Sequence, residues 1–528
     1  MLYRWQKECI EAWRENRYHG IVDVITGAGK TVMAVEGMRI LGAEQHSLGN
    51  RLHVRIIVPT IALARQWKRE AERRCGDLFG TISMFYGARK DSTEADITIY
   101  VINSARYTVS KHILRDYEEG HPVLLIADEC HRYCSGENQK IFAYQKSPLY
   151  RREMSYTLGL SATPYHFYYE EVLVPSLGKC IYRYHVKEAS REGTISRFAI
   201  LQVGLSFSAE EREAYAVLTE TAHILFKKLL REYPEVKKWR RTAAFFQKLR
   251  EIASAEDDPE CLPQRYLDTL YLRAMVCSQA EARDICTAEL IRKLSKKARI
   301  IIFCERIGQA DLLIDRLTHM NIRGICRYHT GLTADARKQS LDRFRDREDR
   351  ILVTVRALDE GLDVPDASVG IVMSTSSKER QRIQRLGRIL RPSPEKKLAV
   401  LYYLYVQEAS EDSNYLAVME DGGSAPEEED GDLTFARFIQ SLRFESDSGA
   451  FRNDTYEAAA EKVLLKYKPV LSEEEQHAYR NCVENGIMGA DYLLTEEEQV
   501  HSINKAKSLK EKNYWIVMRQ IGKALRSD

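Results

Sequence analysis

Residues 24–34 read VITGAGKTVMA and residues 123–131 read VLLIADECH, and these two stretches decide the fold. The first sets a glycine-rich turn directly after an apolar strand-like run, GIVDVIT at 20–26, and directly before a run with helical spacing. Such a turn gathers backbone N–H groups and a helix N-terminus at one spot, which suits anionic phosphate oxygens. Thr26, Gly27, Ala28 and Gly29 would line that cradle, Lys30 would reach the β/γ-phosphates, and Thr31 would offer its hydroxyl to Mg²⁺. The strict GxxxxGK[ST] string is not met, because Val24 stands where its first glycine belongs. The strand–turn–helix context is met.

The second stretch puts two acids at the C-terminal end of an apolar strand, the edge at which open α/β sheets bind ligands. Asp128 suits a magnesium shell, and Glu129 suits a general base that orients water in line with a γ-phosphate. A strand ending in Asp-Glu is by itself also an ordinary solvated turn. With GAGKT upstream, the pair reads as the site of an ATPase.

Further strand-like runs surround these two: VRIIVPT, DITIYVIN and YTLGLSATP in the first two hundred residues, then RIIIFC, RGICRYH, RILVTV and SVGIVMS. Helical spacing separates them, which predicts two parallel α/β lobes, at 1–204 and 298–407. Between the lobes, 205–297 loses its strand signals and becomes long amphipathic runs such as EEREAYAVLTETAHILFKKLLREY, a helical insertion. Residues 408–432 carry ten acidic and no basic residues around GGSAP and read as a linker. Residues 433–528 are helical in pattern and end in a basic stretch, with seven Lys/Arg against one acid over 505–526.

The bulk composition bounds the class without naming a partner. The 528 residues are 44% hydrophobic and 30% charged with 13 prolines, which excludes collagen-like and mostly disordered chains. Seventy-nine basic against 77 acidic residues leave a formal charge of +2, so any nucleic-acid surface must be a local patch. No apolar run approaches the roughly 18 residues that span a bilayer, and the expected location is cytoplasmic. Eleven cysteines without paired CxxC units predict reduced, packed thiols. Cys130, His131 and Cys134 do not make a zinc site, since the first two lie in the DECH stretch and no fourth ligand follows nearby.

In motif order, residues 1–407 resemble the superfamily 2 helicases and translocases. DECH resembles that family's DExH box. RWQKECIEAW, at 4–13, looks like its adenine-reading segment, with Gln6 on the base edge and Tyr3 or Trp5 available to stack. VPTIALARQW, ending at Trp67, resembles motif Ia. LSATP resembles motif III, in which Ser161 and Thr163, with His131 of the DExH box, would link hydrolysis to movement. IIFCERI resembles motif IV, TVRALDEGLDVP motif V and QRIQRLGRILRP motif VI.

The resemblance implies two tandem RecA-like parallel-sheet lobes, here with a helical insertion and a C-terminal helical accessory domain. It also implies ATP and Mg²⁺ as cofactors, and places Gly361 and Asp363 of motif V at the nucleotide cleft, with Asp359 a weaker candidate. In motif VI, Gln384, Arg388 and Arg391 share one helical face. The resemblance makes Arg388 and Arg391 arginine-finger candidates and Gln384 a nucleotide contact. DEGLDVP with IVPT and RQW points to the XPB-like and type III restriction-like branch, which acts mostly on duplex DNA.

Residues 227–250 hold nine Lys/Arg against two Glu, interleaved with Tyr233, Trp239, Phe245 and Phe246. Lys237, Lys238, Trp239, Arg240 and Arg241 are therefore nucleic-acid candidates. The same composition fits an amphipathic helix with its aromatics in a core. Three functions follow from this reading: a DNA helicase or translocase, the same motor on RNA, and an ATP-dependent clamp that recruits a partner. A nuclease or other effector subunit is the expected protein partner, within repair, restriction or phage defence.

Overall fold

The computed structural model describes residues 2–527 apart from 26, 88, 92–93, 163, 166–167, 186–187, 190–191, 195, 197, 240–244, 257, 259, 356–366, 375–397 and 411–438. Two compact units emerge: one built on Met1–Phe198, the other chiefly on Ala199–Val355 and Val400–Asp528.

The first unit is an eight-stranded sheet of β1 (Ile21–Val24), β2 (His53–Val58), β3 (Ile82–Tyr86), β4 (Arg89–Lys90), β5 (Ile97–Val101), β6 (Val123–Asp128), β7 (Ser155–Ser161) and β8 (Cys180–Tyr184). Their spatial order is β4-β3-β5-β2-β6-β7-β1-β8, and every pairing is parallel except the β3–β4 hairpin. A parallel sheet covered on both faces needs strands apolar throughout, and β1, β2, β5 and β6 are buried at every position. Helices α1 (Arg4–Glu15), α2 (Lys30–Ser47), α3 (Ile61–Cys75) and α4 (Ile102–Glu118) flank the sheet. Register sets Asp128 beside Leu160 and Asp23 beside Ser161, so the C-terminal ends of β6, β7 and β1 form one continuous edge.

Two polar residues inside this sheet layer are paired. Arg55 on β2 is fully buried and donates from Nε to Asp116 Oδ2 of α4 at 2.7 Å, while His53 Nδ1 lies 2.7 Å from Asp116 Oδ1.

The second unit orders its strands β11-β12-β10-β13-β14-β9-β15-β16. These are β9 (Phe198–Leu205), β10 (Ile300–Cys304), β11 (Ile325–Tyr328), β12 (Ile351–Val355), β13 (Val369–Val372), β14 (Ala399–Val406), β15 (Ile439–Glu445) and β16 (Ala450–Arg452). The strand β9 corrects the sequence-based boundary at 204. FAILQVGL is buried at all eight positions, so both of its faces are covered, and it lies between β14 and β15 of the second sheet. The C-terminal segment also begins as strand rather than helix. Leu442 and Phe444 alternate inward along β15, which pairs parallel with β9 before the hairpin to β16.

The helical insertion is built from α5 (Ala209–Glu232), α6 (Phe245–Ala255) and α7 (Leu262–Ser278) around Leu229, Val236, Phe245 and Leu249. The next helix, α8 (Glu281–Lys293), belongs to the second lobe instead. Its buried Arg283 donates to the carbonyls of Met373, just past β13, and Leu404, within β14. Four helices close the chain: Asp454–Tyr467, Glu473–Gly489, Glu496–Lys505 and Leu509–Ser527. The basic final helix is docked, with Met518 and Ile521 fully buried and the Tyr514 hydroxyl donating to Asp491 at 2.6 Å.

Candidate active site

The phosphate turn needs its glycines for conformational reasons. Gly27 and Gly29 sit at φ 90° and 96°, the left-handed region that glycine enters without a Cβ clash. Gly29 also caps α2, and a Cβ there would lie 2.9 Å from Gln6 Nε2. Lys30 opens α2, and its ammonium donates to the carbonyl of Val24 at 2.8 Å, so the turn wraps around it. Thr31 follows in the same first helical turn, where the macrodipole and free N–H groups favour negative charge. Thr26 lies outside the described residues.

Asp128 ends β6 along the edge shared with β1. Its Oδ1 accepts from the Glu129 backbone N–H at 3.0 Å and its Oδ2 from the Trp67 indole at 2.8 Å. Burial, and after it the charge of Glu129, pushes the Asp128 carboxyl up to about 6, while the indole and Lys30 pull the other way. A buried carboxylate destabilised by an adjacent carboxylate is a place for a cation, and Asp128 with Thr31 fits a hard oxygen-ligated ion such as Mg²⁺.

Glu129 adopts a left-handed conformation, φ 50° and ψ 50°, which turns the chain from β6 into the short helix Cys130–Cys134. Non-glycine residues rarely hold this geometry, and it costs about 1–2 kcal/mol. The strain sets the Glu129 side chain at the edge of the site. Its Oε2 is buried without a hydrogen-bond partner and lies 3.5 Å from His131 Nδ1. His131 Nδ1 in turn lies 3.0 Å from Ser161 Oγ at the end of β7. The DECH stretch and motif III are thus in direct contact; Thr163 lies outside the described residues.

Other expected site residues are placed differently. Trp5 is fully buried and stacks on Tyr184 at 4.9 Å between centroids, so it is not available to a base, whereas Tyr3 is half exposed. Gln6 uses its amide on the backbone: Oε1 accepts from the Tyr3 N–H at 2.9 Å and Nε2 donates to the Gly29 carbonyl at 3.0 Å. In the insertion, Lys237 and Lys238 are exposed, but Trp239 packs partly buried against the helical core, together with Tyr233. Those aromatics follow the amphipathic reading. Arg240, Arg241, Asp359, Gly361, Asp363, Gln384, Arg388 and Arg391 lie outside the described residues, as does 411–432 of the linker.

Sequence reasoning missed two features. Asp23, buried on β1 with Oδ1 unpartnered, lies 3.6 Å from His185 Nε2. Burial lifts its carboxyl to about 6, against the pull of His185, Lys30 and Arg183. Tyr107, exposed near the start of α4, has the Arg106 guanidinium and the Lys140 ammonium each 5.8 Å from its ring centre. The signal for it was NSARY at a strand-to-helix junction on the ligand edge.

The architecture agrees with what the chain is similar to. Residues 1–166 match the family described as type III restriction enzyme, res subunit, and residues 282–393 match the helicase conserved C-terminal domain. The two matched domains are those of a superfamily 2 helicase. The DNA 3'-5' translocase XPB2 of Sulfurisphaera tokodaii is 29% identical to this helicase over 398 residues, 75% of this chain and 80% of the relative. The DNA 3'-5' helicase XPB of Kineococcus radiotolerans is 26% identical over 416 residues, 78% of this chain but 61% of the relative. A solved variant of S. cerevisiae Dbp5, bound to RNA and ADP BeF3, shares the fold at a TM-score of 0.50 and 12% identity, over 87% of this chain and 93% of that one. The two parallel-sheet lobes of the present chain are RecA-like.

Proposed function

We propose that this helicase is an ATP-driven motor on duplex DNA, hydrolysing ATP at the edge formed by β1, β6 and β7 to translocate along or remodel its substrate. The observation that carries the reading is the constellation at that edge: the Gly27–Gly29 turn with Lys30 and Thr31, the acids Asp128 and Glu129, and the His131–Ser161 contact. DNA is favoured over RNA because the relatives matching three quarters of the chain are named for DNA.

In this reading the Gly27–Thr31 backbone and Lys30 hold the phosphates, and Gln6 keeps the turn in shape. Asp128 and Thr31 would hold Mg²⁺, which would supply positive charge against the phosphate oxygens. Glu129, with its buried and unpartnered Oε2, orients the attacking water and accepts its proton. His131 and Ser161 couple the state of Glu129 to β7. Arg388 and Arg391 supply transition-state charge, and Gly361, Asp363 and Gln384 complete the nucleotide contacts. Exposed Lys237 and Lys238, and Tyr107 between its two cations, are the DNA contacts among the described residues. No helix among those residues is long and apolar enough to cross a membrane, and we place the protein in the cytoplasm, with a nuclease or other effector as its protein partner.

Displacement of a third strand from a DNA triplex tests the motor. ATP-dependent displacement supports translocation. Steady ATP hydrolysis without displacement would instead favour the clamp that recruits a partner.

A further inference from the structure

We propose that Trp67 is a positioning residue for the reaction: its indole N–H holds the Asp128 carboxylate in the orientation that meets a divalent cation, and ties that orientation to the helix α3. The proposal rests on the ATPase reading above and adds to it a residue 61 positions away from the acid it serves.

The geometry carries it. Trp67 is fully buried, and its Nε1 donates to Asp128 Oδ2 at 2.8 Å. The other oxygen, Oδ1, accepts from the Glu129 N–H at 3.0 Å. One donor on each oxygen, from two different elements, stops rotation of a terminal torsion that is otherwise broad. Both donors are neutral, so the carboxylate keeps its full charge for a cation, whereas Lys or Arg in the place of Trp67 would pair with it. Each oxygen also keeps a second acceptor site for the ion.

The Asp128 backbone is fixed independently. The Tyr133 hydroxyl donates to its carbonyl at 2.7 Å and also lies within bonding distance, 3.0 Å, of the Ile57 carbonyl. Removing the indole N–H therefore frees the side chain without freeing the strand. The helix α3 presents Ala64, Trp67, Ala71 and Cys75 inward, and exposes Ile61 and Arg65. A shift of α3 is transmitted to Asp128 through a bond that weakens steeply once it lengthens or tilts.

The test uses the full chain and Trp67→Phe, which keeps an aromatic ring and deletes the donor. Two quantities are read: Mn²⁺ affinity in the presence of a non-hydrolysable ATP analogue, by electron paramagnetic resonance, and fluorescent-nucleotide affinity in EDTA. We expect Mn²⁺ to bind about tenfold more weakly, metal-free nucleotide affinity to be unchanged, and Trp67→Phe to add no further metal loss in an Asp128→Asn background. Unchanged Mn²⁺ affinity overturns the proposal, and so does an equal loss with and without metal, which marks a packing role. Should Trp67→Phe fail to fold, 3-benzothienylalanine at position 67 keeps the shape and replaces the N–H with sulfur, and the same readings decide. Failure of the ATPase reading is distinguishable, because then the unmodified protein itself binds no metal–nucleotide complex, and the proposal falls with it.

Discussion

Gln6 Nε2 donates to the carbonyl of Gly29 at 3.0 Å, fastening the first helix to the phosphate turn across 23 positions. The same carbonyl accepts the Met33 N–H at 3.2 Å inside α2, so one oxygen joins three pieces of the site. Gln6→Ala removes one of these bonds, and we expect affinity for ATP and for GTP to fall together by about fivefold, the size of one hydrogen bond. Titration of fluorescent ATP and GTP analogues checks this. A loss confined to ATP would assign the amide to the base edge.

Lys30 and Glu129 divide the work at this edge. Lys30→Ala should abolish measurable ATP binding, because the turn is built around that ammonium. Glu129→Gln should bind ATP normally and lose about 10² to 10⁴ in turnover, since only the proton acceptor is gone. Nucleotide binding and single-turnover hydrolysis, measured on both variants, separate the two roles; wild-type turnover in Glu129→Gln removes Glu129 from catalysis.

The two glycines and the DECH acids were legible in the sequence because each needs an unusual backbone or a strand end, and such requirements leave local marks. The Trp67–Asp128 and Gln6–Gly29 bonds were not legible, since nothing local tells a helix residue which strand end it will face. Trp5 was misjudged for the same reason: its periodicity in RWQKECIEAW fits an inward or an outward ring, and β8 supplies the aromatic partners that settle it. The boundary at 204 cuts through β9 because an apolar run shows that a segment is buried but not which sheet it joins.

Arg55 and Asp116 form a buried pair whose loss should be structural. Asp116→Asn leaves the Arg55 guanidinium buried without its counter-charge, and we expect a loss of about 3–5 kcal/mol in urea unfolding. Bonds from His53 and Arg55 hold the Asp116 carboxyl below its ordinary value despite burial. A lowered folded pKa stabilises above the unfolded value of about 3.9 and is lost as pH falls below it. The gap between wild type and variant should therefore close in acid.

Asp23 should show the opposite slope. Its carboxyl is raised to about 6 in the folded protein, so between about pH 4 and 6 the native state holds a proton that the unfolded chain has released. Stability conferred by that group falls as pH rises through this window. Asp23→Asn cannot lose the proton and should gain on wild type between pH 4.5 and 7, as measured by urea unfolding. A constant difference across that range would mean that Asp23 is charged throughout.

The central claim is an ATPase driven by duplex DNA, and steady-state ATP hydrolysis by the full chain tests it most directly, with duplex DNA, single-stranded DNA and RNA of one sequence compared against Glu129→Gln. We expect hydrolysis to rise most with duplex DNA and to vanish in Glu129→Gln. Hydrolysis no greater than that of Glu129→Gln with every nucleic acid, or stimulation by RNA alone, would contradict the account.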